Sequence, residues 1–382
     1  MNNILIIAGE SSAENYGAML IKEFKKLDPN YDFWGTGGDM MQKEGCDNLY
    51  HINELSLIGI FEVIFHIKRI LNIKKDILKE VDKRKPSLAV LIDFPDFNLS
   101  LAKQLKKRGI KVVYYISPTV WAWRYNRIKK IKKYVDKILL IFPFEKKIYE
   151  KEGIDYEFVG HPIFEIVKPQ LSENEAAEKY NHEGKIHIVL MPGSRSSELK
   201  FHTPHILEAV SLLRKKYNNI KFSLIKASHL SDSYFKKYEK TGVDVYSENK
   251  YSVMKNADVI ISTSGTSNFE AMILKKPVVV IYKVSKPTYI MGKSFIKISN
   301  YSIVNILAGK RIIPEIIQDD LTGENIFKAA VEFIDNKQRV KSLMDEYDNI
   351  LSQYEGVKNG SKKAAYIIWK QLKEKDNELF KY

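Results

Sequence analysis

Residues 4–26, ILIIAGESSAENYGAMLIKEFKK, contain an apolar run, a turn of small residues and a helical pattern. Residues 4–8 have the length and composition of a buried strand, and residues 9–12 form a tight turn. From Tyr16 to Lys26 the apolar positions recur at helical spacing. A strand followed directly by a helix is the repeating unit of parallel sheets covered by helices on both faces. This stretch therefore predicts an α/β fold.

The same alternation continues along the chain and then restarts after a polar stretch at residues 165–184, which is typical of a domain junction. The runs that predict strands are 31–34, 88–92, 112–116, 137–142, 186–191, 222–226, 243–246, 259–262 and 278–282, and helices are predicted at 99–108, 204–217, 268–274 and 325–334. We therefore divide the chain into α/β domains at 1–165 and 166–340 and charged helices at 341–382. Ligands bind beyond the carboxyl ends of such strands, so a cleft between the domains is the expected site.

Composition limits the classes of protein to which this chain can belong. It has 382 residues, 45% of them hydrophobic, and 61 Lys+Arg against 47 Asp+Glu give a formal net charge of +14. The length suits about two globular domains. The single cysteine, Cys46, excludes a disulfide framework and a multi-thiolate zinc site, and it fits a reducing cytosol. No apolar run reaches the roughly 18 residues of a membrane span. The basic balance leaves nucleic acid, an anionic membrane surface or a phosphorylated small molecule as partners.

Two turns in the first predicted domain carry candidate functional residues. Gly9-Glu10-Ser11-Ser12 can present backbone N–H groups at a helix start to an anion, or it can be an ordinary capped turn. Asp93-Phe94-Pro95-Asp96-Phe97-Asn98 ends the strand at 88–92, where one carboxylate can accept a proton from a hydroxyl nucleophile. The alternative for this second motif is a polar turn in which Asp96 or Asn98 caps the next helix.

An aromatic loop and a basic run follow the strand at 112–116. Trp121 and Trp123 can hold a sugar face or an acyl chain while Arg124 binds a phosphate, or the loop can be an aromatic plug in the core. Residues 124–133 contain six basic and no acidic residues, which favours an anionic membrane surface over nucleic acid, although an ordinary solvated helix face is also open. Residues 58–75 form an amphipathic basic pattern that can contact lipid or pack on the sheet.

Two loops in the second predicted domain have the residue types of phosphate sites. Pro192-Gly193-Ser194-Arg195, with Glu198 three residues on, and Ser264-Gly265-Thr266, with Glu270 one turn later, each follow a predicted strand. Glycine permits close approach, and Ser, Thr and Arg side chains bind phosphate oxygens at a helix start. Glu270 can bind ribose hydroxyls. Either loop alone can be an ordinary turn, but together they predict a nucleotide site. The histidines, among them His161, His202 and His205, are not spaced as metal ligands.

Taken in order, these motifs resemble the lipid-A-disaccharide synthase family of inverting GT-B glycosyltransferases. The resemblance covers about residues 3–325, and its most specific parts are the tryptophan loop and the Asp-x-Pro-Asp-Phe-Asn run. The other matching stretches are 9–12, 35–38, 56–59, 142–145, 160–162, 192–195, 264–270, 305–309, 314–315 and Gln318. It implies two Rossmann-like domains whose parallel sheets face a cleft. One departure is that the family motif usually continues Ser-Gly-Asp, where this chain has Ser12-Ala13-Glu14; since alanine adopts positive φ less readily than glycine, acceptor geometry near this turn is expected to differ.

The resemblance implies a definite reaction. The donor would be UDP-2,3-diacylglucosamine, the acceptor 2,3-diacylglucosamine 1-phosphate, and the products UDP and a β-1,6-linked lipid A disaccharide 1-phosphate. Asp93 is the expected base, Asp96 is the second candidate, and Arg195 with the 264–266 loop would stabilise the departing diphosphate. No metal and no cofactor is expected. The predicted acceptor-side residues are Gly9, Glu10, Ser11, Ser12, Asn98, Trp121, Trp123 and Arg124. The predicted nucleotide-side residues are Gly193, Ser194, Arg195, Glu198, Ser264, Gly265, Thr266, Glu270 and Asn305.

The same resemblance implies where the protein works and with what. It would be cytoplasmic, on the cytoplasmic face of the inner membrane, where it would contact an anionic surface and no nucleic acid. A homodimer is the expected assembly, and the helices at 341–382 would pack back on the first domain or exchange between the two subunits. The rival hypotheses are another UDP-sugar transferase or UDP-sugar epimerase of the same architecture, and a non-catalytic basic protein that binds membranes or nucleic acid.

Overall fold

The computed structural model describes residues 2–56, 63–180, 182, 184–227, 229–293 and 300–379. The chain divides into a first unit, Met1–Pro162 with Gly356–Tyr382, and a second unit, Ile163–Glu355. Leu57 to Glu62, which include Ile58 and Phe61 of the predicted amphipathic stretch, lie outside the described residues. No helix within the described ranges is long and apolar enough to cross a bilayer.

Parallel strands form the sheet of the first unit. They are β1 (Asn2–Ala8), β2 (Tyr31–Gly37), β3 (Cys46–His51), β4 (Leu88–Ile92), β5 (Lys111–Tyr115), β6 (Lys137–Leu140) and β7 (Tyr156–Phe158). The connecting helices are α1 (Ser11–Leu27), α2 (Asp39–Lys43), α3 (Ile52–Ser56), α4 (Val63–Arg84), α5 (Pro95–Lys107), α6 (Arg127–Tyr134) and α7 (Lys146–Lys151). The spatial order is β3-β2-β1-β4-β5-β6-β7, with β1 directly beside β4.

The second unit repeats this arrangement. Its strands are β8 (Ile186–Met191), β9 (Ile220–Ile225), β10 (Asp244–Tyr246), β11 (Val259–Thr263), β12 (Val278–Tyr282) and β13 (Glu315–Ile317). Its helices are α8 (Ile163–Ile166), α9 (Glu173–Lys179), α10 (Ser196–Lys216), α11 (Lys236–Glu239), α12 (Lys250–Lys255), α13 (Thr266–Ile273), α14 (Lys286–Lys293), α15 (Ile303–Ala308), α16 (Gly323–Asp335) and α17 (Lys337–Ser352). The order β10-β9-β8-β11-β12-β13 places β8 beside β11.

This strand order determines where each sheet can bind a ligand. In both sheets the connections run outward in opposite directions from a central pair, β1 with β4 and β8 with β11. The loops that leave such a pair diverge at the carboxyl edge and open a crevice, the topological switch point. The central strands are apolar because helices cover both their faces; every residue of β4 is fully buried. The Gly9, Asp93, Pro192 and Ser264 loops all begin at these two points.

The helices near the end of the chain belong to different units. The helix α17 packs against α13, α15 and α16 of the second unit. The last helix, α18 (Gly360–Leu379), packs against α1 of the first unit, and Lys363 Nζ donates a hydrogen bond to the Phe158 carbonyl at 2.7 Å. The residues predicted to form one segment, 341–382, are therefore shared between the two units.

The predicted start of the helix after β8 was wrong. Pro204 lies inside α10, which begins at Ser196 instead of near residue 204. Glu198, the third residue of the helix, accepts hydrogen bonds from the backbone N–H groups of Ser194 and Arg195 and so fixes the earlier start. The Pro192 loop consequently leads straight from β8 into a long helix.

Candidate active site

Asp93 lies at the carboxyl end of β4, in a turn with an unusual backbone. Both Asp93 and Phe94 have φ of +46°, in the left-handed region that non-glycine residues rarely adopt. The Asp93 N–H donates to the Tyr115 carbonyl at 3.1 Å, which ties the turn to the neighbouring strand. Strained residues of this kind persist where the surrounding structure holds them, and they cluster at functional sites. The turn holds the half-buried Asp93 carboxyl group at the switch point of the first sheet.

The Gly9 turn packs directly on the Asp93 turn. A Cβ at Gly9 would lie 2.6 Å from the Phe94 ring, so only glycine allows this approach. Glu10 is exposed and occupies the N-cap position of α1, which begins at Ser11, without a capping hydrogen bond from its side chain. The structure thus brings the predicted Gly9–Ser12 turn and Asp93 together. The helix terminus adds a positive electrostatic potential beside two carboxylates, Glu10 and Asp93.

The surroundings of Asp93 raise its pKa. Burial is the largest cause, the negative charge of Glu10 adds to it, and the Phe94 N–H and Arg127 oppose it, which leaves the pKa at about 6. A carboxyl group with this pKa is ionised at neutral pH but is a stronger base than an ordinary aspartate. A general base works best when its pKa approaches the working pH. Asp93 therefore has the chemistry that proton abstraction requires.

Asn98 supports this turn from below. Its side chain is fully buried, and its Nδ2 donates to the carbonyls of Ile92 at 3.2 Å and Asp93 at 2.8 Å. The buried Tyr114 hydroxyl also donates to the Asp93 carbonyl. Asn98 was predicted to be an acceptor-side residue, but its contacts make it a positioning residue for Asp93. The contribution of Tyr114 could not be predicted, because in the sequence this residue is simply part of the strand β5.

We expect Asn98→Ala to weaken both the fold and the site. The change removes the side-chain donor of the Ile92 carbonyl and leaves the Asp93 carbonyl with the Tyr114 hydroxyl alone. This loss costs about 1–3 kcal/mol of unfolding free energy, and it lets the strained Asp93 turn relax. Denaturant unfolding should record the loss, and kcat should fall with it. Ser100→Ala is the matched control on α5, since Ser100 is half-buried and accepts its hydrogen bond from the Lys74 side chain, with Nζ at 2.8 Å. Unchanged kcat in Asn98→Ala would contradict the positioning role.

Asp96 and two arginines form an ion-paired cluster at the start of α5 and α6. Asp96 Oδ2 lies 2.9 Å from Arg124 Nη1 and 2.8 Å from Arg127 Nη2. Trp123 lies between the arginines, with guanidinium carbons 4.7 and 4.6 Å from its ring. Trp121 instead packs edge-on against Phe144. The loop thus combines the two sequence hypotheses, because Trp121 packs inside the first unit while Trp123 supports a cationic surface.

The Pro192 loop of the second unit is organised by Glu198. Gly193 has φ of +132°, and Glu198 Oε2 accepts from the N–H of Ser194 at 2.9 Å and of Arg195 at 3.3 Å. Glu198 Oε1 lies 3.4 Å from Arg195 Nη1. Glu198, predicted to contact the nucleotide, is itself buried and bonded to its own loop. The Arg195 side chain is 71% exposed at the start of α10, so the loop presents a cation.

His202 fixes the same loop from behind. Its Nδ1 lies 2.7 Å from the Pro192 carbonyl, and its Nε2 accepts from the Lys283 N–H at 3.0 Å. This pattern requires a neutral ring with the proton on Nδ1, and burial lowers the pKa of His202 accordingly. His205 lies 3.3 Å from Lys283 Nζ through its Nε2. Both histidines therefore contact Lys283, and His202 also holds the Pro192 loop.

The Ser264 loop follows β11, next to the Pro192 loop. The Ser264 N–H donates to the Ile281 carbonyl at 3.0 Å, and its hydroxyl donates to the Tyr301 carbonyl at 3.2 Å. Gly265 and Thr266 are exposed at the start of α13, and a Cβ at Gly265 would meet nothing within 4 Å. Open space above a helix N-terminus allows a ligand to approach the backbone N–H groups.

Two other predicted nucleotide residues already have protein partners. Glu270 is 6% exposed; its Oε1 accepts from the Tyr251 hydroxyl at 3.0 Å and its Oε2 lies 2.5 Å from Lys250 Nζ. Asn305 is fully buried, and both its amide atoms bond to residues 312–315. Asn305 therefore stabilises the chain before β13, and both of its amide atoms are occupied by protein partners. Glu270 would have to exchange a partner to reach a ribose.

The departure at Ser12-Ala13-Glu14 has a structural explanation. Ala13 lies in α1, outside the left-handed region, so no glycine is needed there. The buried Glu14 carboxylate accepts from the Met40 N–H at 2.8 Å and caps α2. The expected backbone penalty at this turn is therefore wrong, because the helix begins before the position concerned. Among the described residues, no three His, Cys, Asp or Glu side chains are grouped as metal ligands would be.

The chain as a whole is similar in sequence to known proteins. The family model for lipid-A-disaccharide synthetase matches residues 4–368. The lipid-A-disaccharide synthase of Geobacter sulfurreducens is 39% identical over 339 residues, covering 88% of each chain.

Two solved structures share the fold at low identity. The UDP-GlcNAc 2-epimerase from Neisseria meningitidis, bound to UDP-GlcNAc, has a TM-score of 0.64 at 15% identity and covers 97% of this chain and 100% of its own. The calicheamicin glycosyltransferase has a TM-score of 0.63 at 10% identity, with 98% of this chain and 99% of its own covered. The two parallel sheets and these neighbours establish the GT-B fold, as the sequence predicted. By its family match and its relatives, the chain belongs to the lipid-A-disaccharide synthetase family.

Proposed function

We propose that this protein is a lipid-A-disaccharide synthase. It transfers 2,3-diacylglucosamine from UDP-2,3-diacylglucosamine to 2,3-diacylglucosamine 1-phosphate, and it releases UDP and a β-1,6-linked disaccharide 1-phosphate. Family membership supports a UDP-sugar donor and a sugar-phosphate acceptor. The single observation that carries the chemistry is Asp93, a strained, half-buried carboxylate whose pKa is raised to about 6 at a switch point.

Asp93 acts as the base in this proposal. Its carboxylate takes the proton from the acceptor's 6-hydroxyl as that oxygen attacks the anomeric carbon of the donor. The bond from this carbon to the UDP oxygen breaks on the opposite face, so configuration inverts and the bonding electrons leave with UDP. Asp96 is the weaker candidate, because one of its carboxylate oxygens is already paired with both Arg124 and Arg127.

The second unit would hold the UDP moiety. Arg195 and the exposed start of α13 at Gly265 and Thr266 supply positive charge for the diphosphate, which gains charge as the bond breaks. Gly193, Ser194 and Ser264 shape these two loops, and Glu198 orients the first of them. Glu270 is proposed to bind the ribose by exchanging Lys250 or Tyr251 for a hydroxyl.

The acyl chains of both substrates favour work at a bilayer. We place the protein on the cytoplasmic face of the inner membrane as a peripheral protein, and propose a homodimer as its assembly. The lysines of α6 support an anionic surface as the partner, since Lys129, Lys130, Lys132 and Lys133 are exposed. No role with nucleic acid is proposed.

The activity is tested by measuring UDP release from UDP-2,3-diacylglucosamine in detergent, with and without 2,3-diacylglucosamine 1-phosphate. Acceptor-dependent release together with a disaccharide product is the expected result. Tight UDP binding without acceptor-dependent release would redirect the assignment to another acceptor or to epimerisation. The absence of both UDP binding and release would overturn the proposal.

The pH profile of kcat/KM provides a separate prediction. Because Asp93 must be deprotonated to act as a base, kcat/KM should rise with pH and level off above a pKa of about 6. Glu10 raises that pKa by charge repulsion, so Glu10→Gln should move the acid limb to lower pH. Glu23→Gln, on the same helix α1, is the control and should leave the limb in place. An unmoved limb in Glu10→Gln would rule out Asp93 as the titrating group.

A further inference from the structure

Arg127 is buried to an extent that its sequence context does not predict. It belongs to the basic run at residues 124–133, yet only 4% of its surface is exposed, while the lysines that follow it are exposed. Its Nε and Nη1 atoms have no hydrogen-bond partner within the part of the chain that the structure describes. A buried guanidinium with unused donors is costly to keep and calls for an explanation such as a ligand.

Arg124 brings a second cation to the same place. Its φ of +52° lies in the left-handed region, and its guanidinium stacks on the Trp123 ring that also carries Arg127. Both arginines converge on one oxygen of Asp96, whose side chain is 67% exposed and able to turn into solvent. The two guanidinium groups share a single oxygen of Asp96, whereas a phosphate monoester offers three acceptor oxygens and nearly two negative charges.

We propose that Arg127 and Arg124 form the subsite for the phosphate group of the sugar acceptor, and that Asp96 is the internal anion that occupies it in the absence of acceptor. This inference rests on the proposed function. In this inference Asp96 competes with the phosphate for the two arginines and does not act as a base. The phosphate displaces Asp96 by ion-pair exchange, with no bond formed or broken.

The position of Arg127 relative to Asp93 fits this assignment. Arg127 contacts Asp96, three residues after Asp93, and its positive charge lowers the pKa of Asp93. The acceptor carries its 6-hydroxyl and its 1-phosphate on a single sugar ring, so a base and a phosphate ligand that serve one molecule must be neighbours. A phosphate held by Arg127 therefore directs the other end of the ring toward Asp93.

The test compares acceptors with and without the 1-phosphate. Arg127→Met should raise KM for the phosphorylated acceptor by about 10- to 100-fold, the value of a charge-assisted hydrogen bond, and should leave the dephosphorylated acceptor almost unaffected. Arg124→Met should have a smaller effect in the same direction. Asp96→Asn should lower KM for the phosphorylated acceptor, because a neutral amide competes less strongly for the two arginines. Lys103→Met, an exposed position on α5, is the control for loss of charge.

Two outcomes would overturn the inference. One is an equal loss with both acceptors in Arg127→Met, and the other is a collapse of kcat in Asp96→Asn. The melting curve and the UDP affinity of Arg127→Lys are the control for misfolding. Calorimetry with glucosamine 1-phosphate and glucosamine separates this inference from the proposed function, because it needs no turnover. If wild-type protein shows no transfer, weaker binding of glucosamine 1-phosphate in Arg127→Met still supports the subsite, and unchanged binding rejects it.

Discussion

Asp93→Asn is expected to lower kcat by about 10²- to 10⁴-fold, the contribution of a general base, and to leave the affinity for UDP unchanged. Without a carboxylate at this position, the acceptor's 6-hydroxyl must attack before its proton has a suitable acceptor. The proposed nucleotide site consists of the Pro192 and Ser264 loops of the second unit, whereas Asp93 belongs to the first unit. Turnover and UDP binding should therefore separate in this variant.

The variant should also fold. Asparagine tolerates the left-handed region about as well as aspartate does, so the φ of +46° can be retained. Burial raises the pKa of Asp93, which means that the carboxylate is less favourable in the folded protein than in water. Above a pH of about 6 this cost is present in the wild-type protein, and the neutral amide removes it. We therefore expect a melting temperature equal to or above that of the wild type.

Steady-state kinetics and UDP calorimetry measure the two halves of this prediction. Asp155→Asn is the matched control, since Asp155 is an exposed carboxylate of the first unit, before β7, with Lys137 at 3.1 Å. It should keep wild-type kcat. If Asp93→Asn keeps kcat and Asp96→Asn loses it, Asp96 is the base instead of Asp93. That result would contradict both the role of Asp93 and the phosphate subsite.

The inner strands were predictable because of their burial. The strands β4, β8 and β12 have the bounds predicted from apolar runs at 88–92, 186–191 and 278–282. The strands that the sequence did not reveal, β3, β7 and β13, all lie at sheet edges. Edge strands are short and partly exposed, so they lack the continuous apolar run that identifies a strand buried on both faces. The two loop pairs could be recognised because they follow inner strands.

The direction in which polar side chains point was much less predictable. Asn98, Glu198 and Asn305 have the residue types of ligand contacts, yet each bonds to the protein's own backbone. Sequence spacing does not tell whether an amide or carboxylate faces a crevice or the loop beneath it. Arg127 shows the opposite case. It lies in a run of lysines that indicated a solvated helix face, yet its side chain is buried. These assignments required the three-dimensional arrangement of neighbouring turns.

Arg195→Met is expected to lower kcat by about 10²- to 10³-fold, the magnitude found when a group that stabilises developing charge is removed. Arg195 is the exposed cation of the Pro192 loop, and the diphosphate gains negative charge as the sugar–oxygen bond breaks. An interaction that strengthens during bond breaking affects kcat, whereas one that is equal in the bound substrate and the transition state affects only KM. Arg195→Lys should retain part of the activity, because it keeps the charge without the planar, two-pronged geometry.

The fold should not suffer from this change. The Arg195–Glu198 pair is 3.4 Å long with an arginine 71% exposed, and exposed pairs contribute little to stability. Glu198 still accepts from the Ser194 N–H, so the loop keeps its main support. Lys200→Met, an exposed cation on the same helix α10, controls for net charge and should leave kcat unchanged. A raised KM with wild-type kcat in Arg195→Met would show that Arg195 only binds the donor, and the stabilisation of the leaving group would then have to come from the α13 terminus.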